Sequence, residues 1–393
     1  MSTILTALAL AGISLAAPSP VLNRQACSPS ADIPSVSSSL LPNPFVFADG
    51  TEVTTTDQWS CRQEEILNAF QQYELGDLPP APDTLTASFS GGRISIDVTV
   101  AGGSSATFSA AISGGSTSSP VPAIIGIGMA NIPIPNGVAT ITFENDAFAA
   151  QNGGGSRGQG IFYTLHGSDH SAGALAAWAW GVSRLIDGLE QLGPEVTGID
   201  TARLGVTGCS RNGKGAFVVG ALDDRIALTI PQESGAGGAA CWRISDAEAA
   251  AGKNIQTAQQ IVGENVWFST RFNPWTTQTS SLPYDHHLLA GLVAPRGLYI
   301  PENNIDWLGP VSMTGCMRAG KLIYEALGVP ENMGYSLVGG HGHCQFPGTQ
   351  GGELAQFIDH FLLGSETKPE NLDRSEVPAN VEDYIDWDAP TLS

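Results

Sequence analysis

The chain has 393 residues, of which 42% are hydrophobic and 14% are charged, so it can bury a sizeable core and is not a disordered chain. Its formal net charge is −21, from 38 acidic and 17 basic residues. This balance speaks against a nucleic acid partner, because binding a polyanion requires clustered Lys and Arg.

The N-terminal segment, residues 1–17, is apolar and ends in small residues, a pattern typical of a secretory signal peptide. A buried N-terminal helix is the alternative, but Pro18-Ser19-Pro20 interrupts the apolar stretch. The stretch is also too short to cross a bilayer comfortably. We therefore predict a secreted, extracellular protein with a short propeptide at 18–26. Residues 18–393 would form one domain, monomeric and not bound to a membrane.

The next segments alternate between strand and helix patterns. Residues 84–112 alternate apolar and polar side chains between glycine pairs, which predicts antiparallel strands at a sheet edge. Short apolar runs that predict strands buried on both faces follow at 121–128, 137–143, 203–208, 225–230, 296–300 and 334–340. Helical spacing appears at 174–192, 312–327 and 351–363. Such alternation predicts a mostly parallel sheet, with reactive groups at the carboxyl ends of its strands.

A serine follows the strand predicted at 203–208, in the segment Gly208-Cys-Ser-Arg-Asn-Gly-Lys-Gly215, and a helix is predicted from Ala216 to Leu222. A sharp turn here would lift the Ser210 hydroxyl clear of the sheet, beside the N–H groups of a helix start. Asn212 stands where the usual hydrolase motif has glycine, so a plain glycine-rich turn is the alternative. We predict an α/β-hydrolase fold: a three-layer α-β-α sandwich with a mostly parallel central sheet and an antiparallel N-terminal edge.

A serine nucleophile needs a base, and Gly340-His-Gly-His-Cys344 follows the last predicted strand, where this fold keeps its histidine. His343 and His341 are the two candidates. If Cys209, next to Ser210, were bridged to Cys344, the two Cα atoms would lie within about 7 Å, which favours His343. A metal site is the other interpretation of the two histidines, but no third ligand has suitable spacing, so we predict no metal.

The third member of such a triad is a carboxylate that orients the imidazole. Glu233 follows the strand predicted at 225–230. Glu302 follows the next predicted strand, where many hydrolases keep their acid, and Asp306 lies close behind. Spacing alone does not choose between them.

Together these motifs resemble the fungal glucuronoyl esterases, carbohydrate esterase family 15. The segment Gly-Cys-Ser-Arg-x-Gly-Lys is highly specific to that family, and the resemblance covers most of residues 40–365. It is carried by residues 132–135, 170–173, 178–180, 208–214, 231–235, 303–309 and 340–344.

The resemblance implies Ser210 as nucleophile, His343 as base, Glu233 as acid and Arg211 as an oxyanion-stabilising residue. It also implies four residues that bind the uronate sugar: Lys214, Gln256, Glu264 and Trp307. The implied disulfides are Cys27–Cys61, Cys209–Cys344 and Cys241–Cys316.

The activity that the resemblance implies is hydrolysis of the ester between (4-O-methyl-)D-glucuronic acid of glucuronoxylan and lignin alcohols, without a cofactor. An acetylxylan or feruloyl esterase of the same fold is the main alternative. A secreted peptidase of the same fold is less favoured. A catalytically inactive carbohydrate-binding protein is also less favoured, because Ser210, Glu233 and His343 are all present.

Overall fold

A computed structural model describes residues 29–393. The predicted signal peptide (1–17), the predicted propeptide (18–26) and Cys27 lie outside the described residues. The predicted Cys27–Cys61 bridge therefore lies outside them as well.

Ten strands in the described part of the chain form one sheet in the order β1-β2-β3-β5-β4-β6-β7-β8-β9-β10. The strands are β1 (Thr84–Ser90), β2 (Arg93–Thr99), β3 (Ser105–Ser113), β4 (Val121–Ile127), β5 (Ala139–Phe143), β6 (Ile199–Cys209), β7 (Ile226–Gln232), β8 (Gly297–Glu302), β9 (Met333–Leu337) and β10 (Asp373–Arg374). The pairs from β1 to β5 along the edge are antiparallel, and all pairs from β5 through β4 to β10 are parallel. The antiparallel N-terminal edge and the mostly parallel centre are both confirmed.

The α-helices of the described residues are α1 (Thr56–Phe70), α2 (Asn145–Phe148), α3 (Ile161–His166), α4 (Ala174–Leu192), α5 (Pro194–Thr197), α6 (Arg211–Leu222), α7 (Trp242–Ala250), α8 (Ala258–Glu264), α9 (His287–Val293), α10 (Pro310–Ala326) and α11 (Gly351–Phe361). Helices α4, α6, α9 and α10 pack on one face of the sheet, around the larger apolar core. Helix α11 packs on the other face against β7 and β8, around a smaller core that contains Tyr299 and Phe357. This arrangement confirms the α/β-hydrolase prediction.

The boundaries differ from the predicted ones where apolar periodicity is a poor guide. Helix α6 begins at Arg211 rather than Ala216, because Ser210 already acts as its N-cap residue. The two-residue strand β10 was not predicted, because two residues carry no periodicity. No helix in the described part of the chain combines the length and apolar character needed to cross a membrane.

Candidate active site

Ser210 lies at the turn between β6 and α6. Its backbone has φ 60° and ψ −125°, and its N–H donates to the carbonyl of Gln232 at 3.0 Å. Glycine is required on both sides, because a Cβ at Gly208 would lie 2.3 Å from the Asn212 carbonyl oxygen and one at Gly213 would lie 2.5 Å from that of Gln232. The close strand–helix approach therefore uses Gly213, and the neighbouring position is free to carry the Asn212 side chain.

Two disulfides within residues 29–393 join distant segments. The Cys209–Cys344 bridge has a Cα–Cα distance of 5.7 Å and closes a separation of 135 residues, and the Cys241–Cys316 bridge closes 75 residues. The first bridge places His343 and Ser210 next to linked cysteines, although they lie far apart in sequence.

Glu233 and His343 form a close pair, with His343 Nδ1 2.7 Å from Glu233 Oε2. Glu233 is 1% exposed, and its Oε2 also accepts from the backbone N–H of Cys344 at 3.0 Å and from Asn303 Nδ2 at 3.4 Å. Gln232 Nε2 donates to Oε1 at 3.3 Å. Donors on several elements thus replace the water that this buried carboxylate has lost. His343 Nε2, the other ring nitrogen, is buried without a hydrogen-bond partner among the described residues.

Backbone strain concentrates at this site. Ser210 (φ 60°), Glu233 (φ 44°) and Cys344 (φ 63°) are the non-glycine residues with positive φ among residues 29–393. Such conformations cost about 1–3 kcal/mol each and persist only where surrounding structure holds them. These three strained residues come from separate segments of the chain and lie together at this site, where the direction of each side chain matters.

His341, the second histidine, also lies near Glu233, with Nδ1 3.7 Å from Oε1. Its Nε2 is 2.8 Å from the carbonyl oxygen of Val338, and Asn303 Nδ2 is 3.2 Å from its Nδ1. Both of its ring nitrogens therefore have protein neighbours, whereas His343 Nε2 has none in the described structure.

Glu302 ends β8 but does not contact His343. Its Oε1 accepts from Ser234 N at 3.0 Å and from Ser234 Oγ at 3.1 Å, and its Oε2 has no partner among the described residues. Burial raises the pKa of Glu302 to about 8, and the nearby Glu233 carboxylate adds to this while the Ser234 hydrogen bonds oppose it. The buried Glu302 carboxyl group therefore holds its proton more tightly than an exposed glutamate does. Asp306 is exposed.

Three of the residues predicted to bind sugar form a chain of contacts beside His343. The Trp307 ring meets the His343 ring edge-on, with centroids 4.9 Å apart. The Gln256 backbone N–H donates to the Trp307 carbonyl at 3.2 Å, and Gln256 Nε2 donates to Glu264 Oε2 at 3.1 Å. Gln256 lies in a loop, Glu264 ends α8 and Trp307 lies in a short 3-10 turn, and the fold brings them together on one side of the histidine.

Lys214 and Arg211 supply positive charge in an otherwise acidic protein. Lys214 is 4% exposed, and its Nζ donates to the Ser234 carbonyl at 2.7 Å. Burial lowers the pKa of Lys214 to about 8; Glu264 and Glu302 oppose this shift, and Arg211 adds to it. Arg211 is exposed. Both cations lie near the ring of Trp267, a residue that the sequence analysis did not select, because nothing in its local sequence marks it.

One group among the described residues has side-chain atoms close enough together to hold a metal ion. The ligand-type atoms of Cys209, Cys344 and His343 lie within 4.8 Å of one another. The two sulfur atoms are bonded to each other, so they are not thiolate ligands. The cluster instead places a ring nitrogen of His343 close to the disulfide that flanks Ser210.

Residues 96–328 match the family described as glucuronyl esterase of fungi. The chain is 61% identical over 394 residues to the 4-O-methyl-glucuronoyl methylesterase of Thermothelomyces thermophilus, with 99% of each chain covered. It is 58% identical over 387 residues to the Neurospora crassa protein of the same name, with 98% of each covered.

Among solved structures, the chain is similar to a serine-to-alanine mutant of the glucuronoyl esterase from Sporotrichum thermophile, crystallised in complex with methyl 4-O-methyl-β-D-glucopyranuronate. The TM-score is 0.92 at 62% identity, and the match covers 94% of this chain and 100% of that one. The chain therefore belongs to the fungal glucuronoyl esterase family and is a carboxylic ester hydrolase.

Proposed function

We propose that this protein is a secreted esterase that hydrolyses esters of 4-O-methyl-D-glucuronic acid, and that its natural substrate is the ester joining that uronic acid of glucuronoxylan to lignin alcohols. The observation that carries the proposal is the pair formed by His343 and buried Glu233, tied by the Cys209–Cys344 bridge to the turn that holds Ser210. The names of relatives that share 58–61% of its residues support the uronate ester as substrate.

In the proposed mechanism, Ser210 Oγ attacks the ester carbonyl carbon while His343 Nε2 accepts the hydroxyl proton. Glu233 holds Nδ1–H, which fixes the tautomer that leaves Nε2 free and stabilises the imidazolium. The developing oxyanion is stabilised by the first N–H groups of α6 and by Arg211, each donor contributing about 2.7–4 kcal/mol to the transition state.

His343 then donates its proton to the departing alcohol oxygen, and a glucuronoyl-serine ester remains. Water adds to this ester with His343 as base, and the acid and Ser210 are released. These steps require only groups of the protein itself and water. The neutral ester is not repelled by the net negative charge, and the positive charge that the reaction needs is supplied locally by Arg211 and Lys214.

The uronate is proposed to lie against the chain of residues beside His343. Lys214, Gln256 and Glu264 offer donors and acceptors for ring hydroxyls, and Trp307 offers an apolar face to the sugar or to its methyl ether.

The test compares Ser210→Ala with Ser183→Ala, a partly buried helix serine that donates to Asp223. Hydrolysis of methyl 4-O-methyl-D-glucuronate should disappear in Ser210→Ala and persist in Ser183→Ala, with thermal unfolding showing that both remain folded. Benzyl glucuronate and acetylxylan are assayed in parallel. Faster turnover of acetylxylan, or turnover by Ser210→Ala, would overturn the proposal.

A further inference from the structure

Two cations of the active site lie against one indole ring. Arg211 Cζ is 5.6 Å and Lys214 Nζ is 5.5 Å from the ring centroid of Trp267. Within residues 29–393, the Arg211 guanidinium makes no salt bridge or side-chain hydrogen bond, and Lys214 Nζ donates only to the Ser234 carbonyl. The indole is therefore a side-chain contact that the two cations share, and Lys214 also feels the charges of Glu264 and Glu302. Trp267 itself is 2% exposed, too deeply buried to be a surface for substrate.

The indole is held firmly by groups that do not touch the cations. Trp267 Nε1–H donates to Gln151 Oε1 at 2.7 Å, and Gln151 is 5% exposed. The Trp267 carbonyl accepts from Leu175 N at 3.1 Å, and the Val266 carbonyl accepts from Ala174 N at 3.0 Å, both in the first turn of α4. The position of the indole ring is thus set by the first turn of α4 and by the Gln151 amide.

The same amide also reaches the serine turn. Gln151 Nε2 donates to Asn212 Oδ1 at 3.2 Å and to Asp146 Oδ1 at 2.6 Å, and Asn145 Nδ2 also donates to Asn212 Oδ1 at 3.1 Å. Asn212 directly follows Arg211 in the first turn of α6. One carboxamide therefore links the indole to the backbone that carries Arg211, which gives a role to the residue that replaces the usual motif glycine.

An aromatic partner has a chemical consequence that a carboxylate partner would not have. A carboxylate takes up guanidinium N–H donors in paired hydrogen bonds and cancels the charge. A ring face attracts the cation through its quadrupole and leaves the N–H donors unused. An arginine held in this way keeps both its charge and its donors for a developing oxyanion.

We propose that Trp267 is a positioning residue of the esterase: it holds Arg211 and Lys214 in place for the substrate without neutralising them, and Gln151 fixes its ring. This inference rests on the proposed roles of Arg211 and Lys214. If Arg211 and Lys214 do not have these roles, the experiments below give a different result from the one expected if Trp267 does not position them.

The test variant is Trp267→Phe, which loses the Nε1–H donor and weakens the cation contact. Trp180→Phe is its matched control, because Trp180 is 1% exposed, donates from Nε1 to the Pro80 carbonyl at 3.0 Å and lies 5.1 Å from Arg184 Cζ. With methyl glucuronate, Trp267→Phe should lower kcat/KM by about 2- to 30-fold, the range of one cation–aromatic contact. Trp180→Phe should change it by less than about 2-fold at a similar loss of thermal stability.

A double-mutant cycle with Arg211→Ala decides how Trp267 acts. Arg211→Ala alone should lower kcat by about 100-fold or more, and a smaller effect refutes the proposed role of Arg211 rather than that of Trp267. In the Arg211→Ala background, Trp267→Phe should no longer lower kcat, and its remaining effect should appear in KM through Lys214. Equal losses in both backgrounds, or equal losses in Trp267→Phe and Trp180→Phe, overturn the proposal.

If Trp267→Phe does not fold, Gln151→Met takes its place, because it removes the acceptor for Nε1 and leaves the indole present. Gln151→Met should also lower kcat, and this effect should likewise vanish in the Arg211→Ala background. An effect of Gln151→Met that is independent of Arg211 overturns the proposal.

Discussion

The two disulfides of the described residues allow stability and catalysis to be separated, because they are expected to stabilise the fold to a similar extent and lie at different positions. Cys209–Cys344 flanks both Ser210 and His343, whereas Cys241–Cys316 joins the N-cap of α7 to α10. Double replacement by alanine removes each bridge without burying a hydroxyl group. Cys209→Ala/Cys344→Ala is the test variant, and Cys241→Ala/Cys316→Ala is the control.

The chain-entropy model assigns the two bridges nearly equal stabilisation. Closing 135 residues restricts the unfolded chain by about 5 kcal/mol, and closing 75 residues by about 4.5 kcal/mol. Both variants should therefore show similar reductions in the free energy of unfolding, measured by urea titration.

Their catalytic effects should differ. Without the first bridge, the His343 loop is held by the hydrogen bonds of His343 and Cys344 to Glu233 and by those of Asn303 to His341. These contacts preserve part of the geometry, so we expect a loss of kcat/KM of about 10- to 100-fold, the cost of misplacing a catalytic group by about 1 Å. The control should stay within about 2-fold per folded molecule.

The assay uses methyl glucuronate at low temperature, with activity normalised to the folded fraction from circular dichroism. If both variants lose activity equally per folded molecule, the bridge acts on stability alone. If the test variant keeps full activity, the remaining hydrogen bonds suffice to hold His343. Either result would refute the reasoning.

Two buried groups make further predictions about pH. Because the pKa of Glu302 rises from 4.5 to about 8 on folding, the folded state binds more protons between these values, and the urea midpoint should fall as pH rises through that window. Glu302→Gln, which keeps an acceptor for Ser234, should flatten the slope; an unchanged slope would contradict the raised pKa. Because burial lowers the pKa of Lys214 to about 8, KM for methyl glucuronate should rise as pH passes that value, and Lys214→Arg should remove the rise. A wild-type KM that stays constant to about pH 10 would contradict the lowered pKa of Lys214 or its contact with the substrate.

Several features of this protein can be predicted from short stretches of sequence, because neighbouring residues alone determine them. The strand–turn–helix around Ser210 is one, since Gly208 is required by a close approach to Asn212, four residues further along the chain. Helix α4 agrees with its predicted range, because its apolar side chains recur at helical spacing over 19 residues.

Only the tertiary structure decided which carboxylate lies against the histidine and which aromatic ring lies against the cations. Glu233 and Glu302 end neighbouring strands and look alike in sequence, but the left-handed backbone at Glu233 directs its side chain to His343, whereas Glu302 hydrogen-bonds with Ser234. Trp267 reaches Arg211 from a segment more than fifty residues away. Contacts of this kind depend on the crossing of distant segments in space, and residue spacing along the chain carries no information about them.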